Sequence, residues 1–387
     1  MLLLRVRRLS FPGILCCACL LPAQPAQQIR TLEDSAKALL AAQDANGALA
    51  KYQELAKLVP RSAEYQDEIG FLLAATNRTA EAIPYFEQAV KLDPQMARAW
   101  YHLGVAEWLV QQTDPAVRHM QKAVELGPDN GDYRFRLGSA YAETGHYQDA
   151  VTQLEKAAKI TPANPALWAT LAEAWERTGA MEQAKSSYER ALSLNPKDTG
   201  VRNSYGTFLV NNGSPEQGLA EFQKILQQDP SDLHAQLNVG YAYIGAGKID
   251  DAIKQLSAMT RDHPDLAAAH YNLAVAYKQK DESKQAEAEL KRAIELEPQF
   301  AEAHYTLGLI YAEGGDSANA VTELRVAVQQ KPDYAQGWFT LGSTLKSTGD
   351  LDGAIEALRR SVTLDGHNAG AFNTLALALR QNGDLAG

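Results

Sequence analysis

Past Cys19 the chain contains no cysteine. Cys16, Cys17 and Cys19 all sit in one apolar run near the amino terminus, so disulfides, thiolate metal sites and cysteine nucleophiles are excluded from everything downstream. Strand signals are absent too. No Lys/Arg run follows the first eight residues, and the whole chain carries a net charge of −10. A polyanion is held by a basic stripe that releases counterions, so nucleic acid is excluded as a partner. Histidine is scattered: His102, His119, His146, His234, His263, His270, His304 and His367 form no His-x-x-x-His pair and no Glu-bearing zinc motif. Neither a metal site, a cofactor nor a catalytic constellation is expected. Gly240 to Lys248 superficially suggests a phosphate loop, but Ala246 stands where the lysine belongs and Ile249 offers no hydroxyl.

What is present is a ruler. Pro60, Pro94, Pro128, Pro162, Pro196, Pro230, Pro264, Pro298 and Pro332 are spaced by 34 residues, which means one supersecondary element copied and stacked rather than two or three globular domains. With each proline set at position 32, position 8 holds only Gly or Ala, from Ala36 and Gly70 to Gly342 and Ala376. Position 20 holds Ala except at Gly218. Small residues at these places let helices cross closely. Larger apolar residues at position 7 (Leu103, Leu137) and position 24 (Phe86, Leu154, Tyr188, Phe222) make the stripe of an amphipathic helix pair. Gly145, Gly179, Gly213, Gly247, Gly315, Gly349 and Gly383 at position 15 suit a left-handed helix end. Asp316, Asp350 and Asp384 then stand as caps of second helices, and Asn164 with Pro165 as a cap and first turn. The spacing predicts two helices of roughly 12–14 residues per repeat.

Residues 165–198 carry Trp168, Leu171, Ala172, Trp175, Gly179, Ala184, Tyr188, Ala191 and Pro196, and this pattern closely resembles the tetratricopeptide repeat family. The resemblance runs over residues 29–387: ten repeats starting at 29, 63, 97, 131, 165, 199, 233, 267, 301 and 335, and part of an eleventh from 369. It implies an all-α, right-handed superhelical solenoid of antiparallel helix pairs. Repeat one lacks the bulky aromatic and the usual glycines. Pro84 falls inside a second helix, where a kink is expected; Glu107 stands where an apolar residue is usual, and Gly366 replaces the proline of repeat ten.

The start reads differently. Arg5, Arg7 and Arg8 precede the apolar run Leu9 to Leu21 and a small, polar stretch to Gln28, the layout of a secretory signal peptide over residues 1–26, cleaved after Ala23 or Ala26. The run is short of the roughly 20 apolar residues that span a membrane. Export to the periplasm, envelope or exterior is the expectation, with a mitochondrial presequence as the alternative. Ala18 before Cys19 also leaves open a lipid-modified cysteine, the one route by which the chain would meet a membrane. Without the three leading arginines the 37 basic side chains fall to 34 against 47 acidic ones, a balance of −13, which serves the solubility of a long, high-surface solenoid.

The resemblance implies that first helices line a concave groove through positions 2, 5, 6, 9, 12 and 13. Position 5 supplies Tyr101, Phe135, Tyr271, Tyr305 and Phe339, and Tyr241 joins them from position 9. Such aromatics are enriched among binding hot spots, and they are also frequent as plain packing at position 5 across the family. Arg98, Arg136 and Arg134 offer a small basic patch. Asn238 and Asn272 at position 6 are two rungs of the asparagine ladder of O-linked N-acetylglucosamine transferases, too few to make one. The expected function is a non-catalytic scaffold that docks a protein or peptide in the groove. The alternatives are the repeat arm of a larger glycosyltransferase-like enzyme and an assembly factor for envelope complexes. At the carboxyl end Ala371, Leu375 and Ala378 keep the face that packs on a second helix, so a continuation of the chain or a partner is expected there.

Overall fold

A computed structural model describes residues 23–384, and among them every regular element is a helix. The expected signal segment with its three cysteines lies outside the described residues, except that the chain from Ala23 already belongs to the first helix. So does the second helix that Asp384 was expected to cap.

The helices fall into two compact halves, taken separately here. The half up to Leu194 holds α1 (Ala23–Ala41), α2 (Ala45–Leu58), α3 (Ala63–Ala75), α4 (Thr79–Leu92), α5 (Ala97–Leu109), α6 (Thr113–Leu126), α7 (Gly131–Glu143), α8 (Tyr147–Ile160), α9 (Pro165–Arg177) and α10 (Met181–Leu194). The half from Asn195 holds α11 (Thr199–Asn211), α12 (Pro215–Gln228), α13 (Leu233–Gly245), α14 (Ile249–Asp262), α15 (Ala267–Gln279), α16 (Ser283–Leu296), α17 (Ala301–Glu313), α18 (Ser317–Gln330), α19 (Ala335–Thr348), α20 (Leu351–Leu364) and α21 (Ala369–Gln381). Odd helices are the first of each repeat and even helices the second. Neighbours in sequence pack on one another, and first helices also touch the next first helix, as α3 does α5 and α13 does α15. First helices therefore share one face in each half.

Local chemistry sets the ends. All seven glycines at position 15 are left-handed, with φ from +70° to +86°. In the repeats without glycine the same turn forces Gln43, Asn77, Gln111 and Asp281 to φ of 60–64°, a region that side chains with a Cβ enter at a cost. The side chain of Asn164 accepts from the N–H groups of Ala166 and Leu167, and those of Asp316 and Asp350 accept from Asn319 and Gly353. α4 runs through Pro84 and keeps the 14-residue length of its counterparts.

Packing explains the small positions. At position 8 the room is taken by the large side chain at position 24: a Cβ on Gly206 would stand 2.5 Å from the Phe222 ring, and one on Gly342 2.6 Å from Leu358. Phe86, Met120, Leu154, Tyr188, Phe222, Leu256, Leu290, Leu324 and Leu358 are accordingly fully buried. Gly218, the exception at position 20, has a reason. Its Cβ would meet the Gly206 carbonyl oxygen and Val210, both at 2.6 Å, so α11 and α12 approach more closely than an alanine allows. Gly218→Ala is expected to cost about 1–3 kcal/mol in urea unfolding; a cost near zero would show that the two helices part freely.

Candidate binding face

Position 4 decides how the histidines are read. Its side chain donates to the carbonyl of the proline six residues earlier: Trp100 to Pro94 (3.0 Å), Arg134 to Pro128 (2.7 Å), Trp168 to Pro162 (2.9 Å), Gln236 to Pro230 (2.8 Å) and Trp338 to Pro332 (3.0 Å). His270 and His304 reach Pro264 and Pro298 through Nε2 at 3.2 and 3.3 Å. Each proline stands just past the end of a second helix, so the clasp ties the first turn of one repeat to the end of the repeat before it. A second donor, where there is one, takes position 23: Arg134 with Gln153, Arg202 with Glu221, His270 with Glu289 and His304 with Glu323. These histidines hold repeats together. The pairing was visible in sequence as a Gln or Glu at position 23 wherever position 4 is Arg or His, and reasoning one position at a time missed it.

Two further histidines face buried carboxylates. Glu107, the odd acidic residue of α5, is 4% exposed and bonded to His119 Nδ1 at 2.7 Å. Asp67, fully buried, receives His102 Nδ1 at 2.8 Å and lies 2.8 Å from the Arg98 guanidinium, which also pairs with Glu68 at 3.2 Å. Burial pushes the Glu68 carboxyl up, against the pull of Arg98. The basic patch drawn from Arg98, Arg134 and Arg136 is thus largely spent. Arg98 answers two carboxylates and Arg134 belongs to a clasp, so of the three only Arg136 makes neither an ion pair nor a side-chain hydrogen bond among the described residues.

The aromatic series is spent in the same way. Tyr101 stacks on Tyr133 at 4.7 Å, Tyr271 meets Phe300 at 4.9 Å, and Tyr305 sits edge-on to Tyr334 at 4.9 Å. Phe135 and Phe339 lie half-buried against the cores of their repeats. The Tyr271 hydroxyl meets Thr306 and that of Tyr305 lies 3.4 Å from Thr340, while burial pushes the Tyr271 phenol up. Tyr101 reaches Tyr133 of the next repeat, the Tyr305 hydroxyl reaches Thr340 of the next, and the rings of Tyr271 and Tyr305 pack on the last residue of their own repeats.

Other groups on this face keep hydrogen-bonding capacity to spare, since an amide or a phenol that makes one bond to a neighbour can still make another. Asn238 donates to Asn203 at 2.6 Å, Tyr241 bonds Asn211, and Asn272 makes no side-chain hydrogen bond among the described residues. α11, α13 and α15 contain not one Asp or Glu, although the chain has 47. Of their cations, Arg202 is in a clasp and Lys278 pairs with Glu313 at 2.9 Å. The result is a stripe of amides and hydroxyls with almost no net charge. Among the described residues no cluster of three metal-ligating side chains occurs, and no helix is long and apolar enough to cross a membrane.

The family described as Cytochrome c-type biogenesis protein H TPR domain matches residues 154–267, and families described as Tetratricopeptide repeat match residues 68–130 and 276–335, 110–174 and 243–295, and 335–368. A search of curated proteins finds no match. Among solved structures, a tetratricopeptide repeat protein from Parabacteroides merdae is similar with a TM-score of 0.52 and 17% identity, over 64% of this chain and 98% of that one. MamA gives 0.41 and 24% over 44% of this chain and 94% of its own. A complex of Naa15/Naa10 bound to HypK gives 0.41 and 16% over 93% and 66%.

Proposed function

Since this chain belongs to the tetratricopeptide-repeat proteins, a protein-interaction scaffold, we propose that it is exported, is not catalytic, and holds a partner's extended segment along the first helices of its second half. The carboxylate-free stripe on α11, α13 and α15 carries this reading. Charge is depleted at the cores of protein interfaces, and an asparagine amide both donates and accepts, so it can pair with a peptide main chain whatever its side chains. Asn238, Tyr241 and Asn272 are the contact residues. Tyr271, Tyr305 and Phe339 frame them without being the main contacts.

Replacing Asn238 and Asn272 by alanine and Tyr241 by phenylalanine, which keeps the packed ring, is expected to weaken partner capture by about tenfold or more, with helicity and melting nearly unchanged. Capture would be scored by crosslinking in the native compartment. An unaltered yield with the triple variant would remove the stripe from the binding surface. Export rests on residues 1–26 and is tested by the amino-terminal sequence of the mature chain. A second reading, an assembly factor for envelope complexes and c-type cytochromes in particular, is favoured by the match over residues 154–267. It differs from the first only in the partner that the crosslink brings down.

A further inference from the structure

On the second-helix side of the first half lies a slot that the partner reading above does not use. α8 and α10 wall it and α9 is its floor; Trp168, Leu171 and Trp175 line the bottom, while Ala158, Ser186 and Ser187 keep the walls short. It is an open groove of about 430 Å³, within the size range of small-ligand sites.

The clasps explain why it is open here. Where position 4 is Arg or His, the residue at position 23 reaches across and bonds to it, as Glu289 does to His270 and Glu323 to His304. In repeat five Trp168 spends its single N–H on Pro162, and the Ser187 hydroxyl turns back to the Gln183 carbonyl at 2.8 Å. Nothing spans the gap between positions 4 and 23. The equivalent slot in repeat ten, with Val328 and Glu356 in place of Ala158 and Ser186, shrinks to about 150 Å³.

Its electrostatics select an occupant. Glu155 stands on one wall and Glu182 on the other, and neither has an ion pair or a side-chain hydrogen bond among the described residues. Lys159, beside Glu155, is unpaired too, so the lining holds two carboxylates against one ammonium. Indole faces add the negative side of their quadrupoles. We propose that this slot receives an arginine side chain of a partner protein, its guanidinium laid on Trp168 and Trp175 between Glu155 and Glu182. Arginine fits better than lysine because its plane stacks on indoles and it is more weakly hydrated.

The test follows the Trp168 and Trp175 indole N–H resonances while N-acetyl-arginine amide is added to the full chain, with the citrulline and norleucine amides as neutral and apolar counterparts. The arginine compound should move both resonances, and the other two should bind at least about fivefold more weakly. Trp168→His combined with Ser187→Glu installs the pair that bonds across the same gap in repeats eight and nine, and should abolish the shift of Trp175. Should that variant unfold, Glu155→Gln with Glu182→Gln, both on exposed side chains, should weaken binding by at least about threefold. Absence of any shift, equal binding of the neutral compounds, or arginine binding that survives these substitutions would overturn the proposal.

Discussion

Phe222→Ala is expected to cost about 3–5 kcal/mol, because it deletes a fully buried ring and leaves a cavity against a glycine that cannot fill it. The hole would open between Phe222 and Gly206, where a Cβ has no room in the native protein. Stacked repeats lose stability locally through their nearest-neighbour interfaces. The loss should therefore appear first as faster hydrogen exchange in α11, α12 and α13. Phe222→Leu should cost less than about half as much, since leucine occupies position 24 at Leu154, Leu256, Leu290, Leu324 and Leu358 and volume is better conserved. Equal costs for the two variants would mean that the ring's volume is not what holds these helices together.

Tyr271→Ala should be nearly as severe, about 2–4 kcal/mol, because the ring lies against Phe300 and its hydroxyl meets Thr306 of the next repeat. Tyr271→Phe should cost only about 0.5–1.5 kcal/mol, the net worth of a hydrogen bond. Both are read by urea unfolding followed by circular dichroism. If Tyr271→Ala left stability intact and removed partner capture, the ring would be a binding residue and the packing reading would fail. A parallel loss in both assays marks it as a joint between repeats.

Each local rule of the repeat acts over a few residues. Proline at 32, glycine at 15 and the small residue at 8 state where a helix stops, turns and is approached, and the helices begin and end accordingly. Reading the residues of the face was harder. Tyr271, Tyr305, Arg98 and Arg134 looked available in sequence, yet each is engaged by a residue of its own chain. Arg134 was announced by Gln153 at position 23 of its own repeat, but for the others the type of residue says nothing, because an aromatic or a guanidinium looks the same whether it serves a partner or a neighbour. Glu107 looked like a flaw until His119, twelve residues on, was found against it.

From the amino-acid order alone came the all-helical class, the repeat, its helix ends and the need for small residues at positions 8 and 20, because helix propensity, capping and a 34-residue period are local properties of the chain. Which side chains remain free was settled only by folding. Bonds such as Asn238 to Asn203 and His102 to Asp67 join residues 35 apart, and a polar group removed from water is satisfied by whatever the stacked backbone brings within about 3 Å of it.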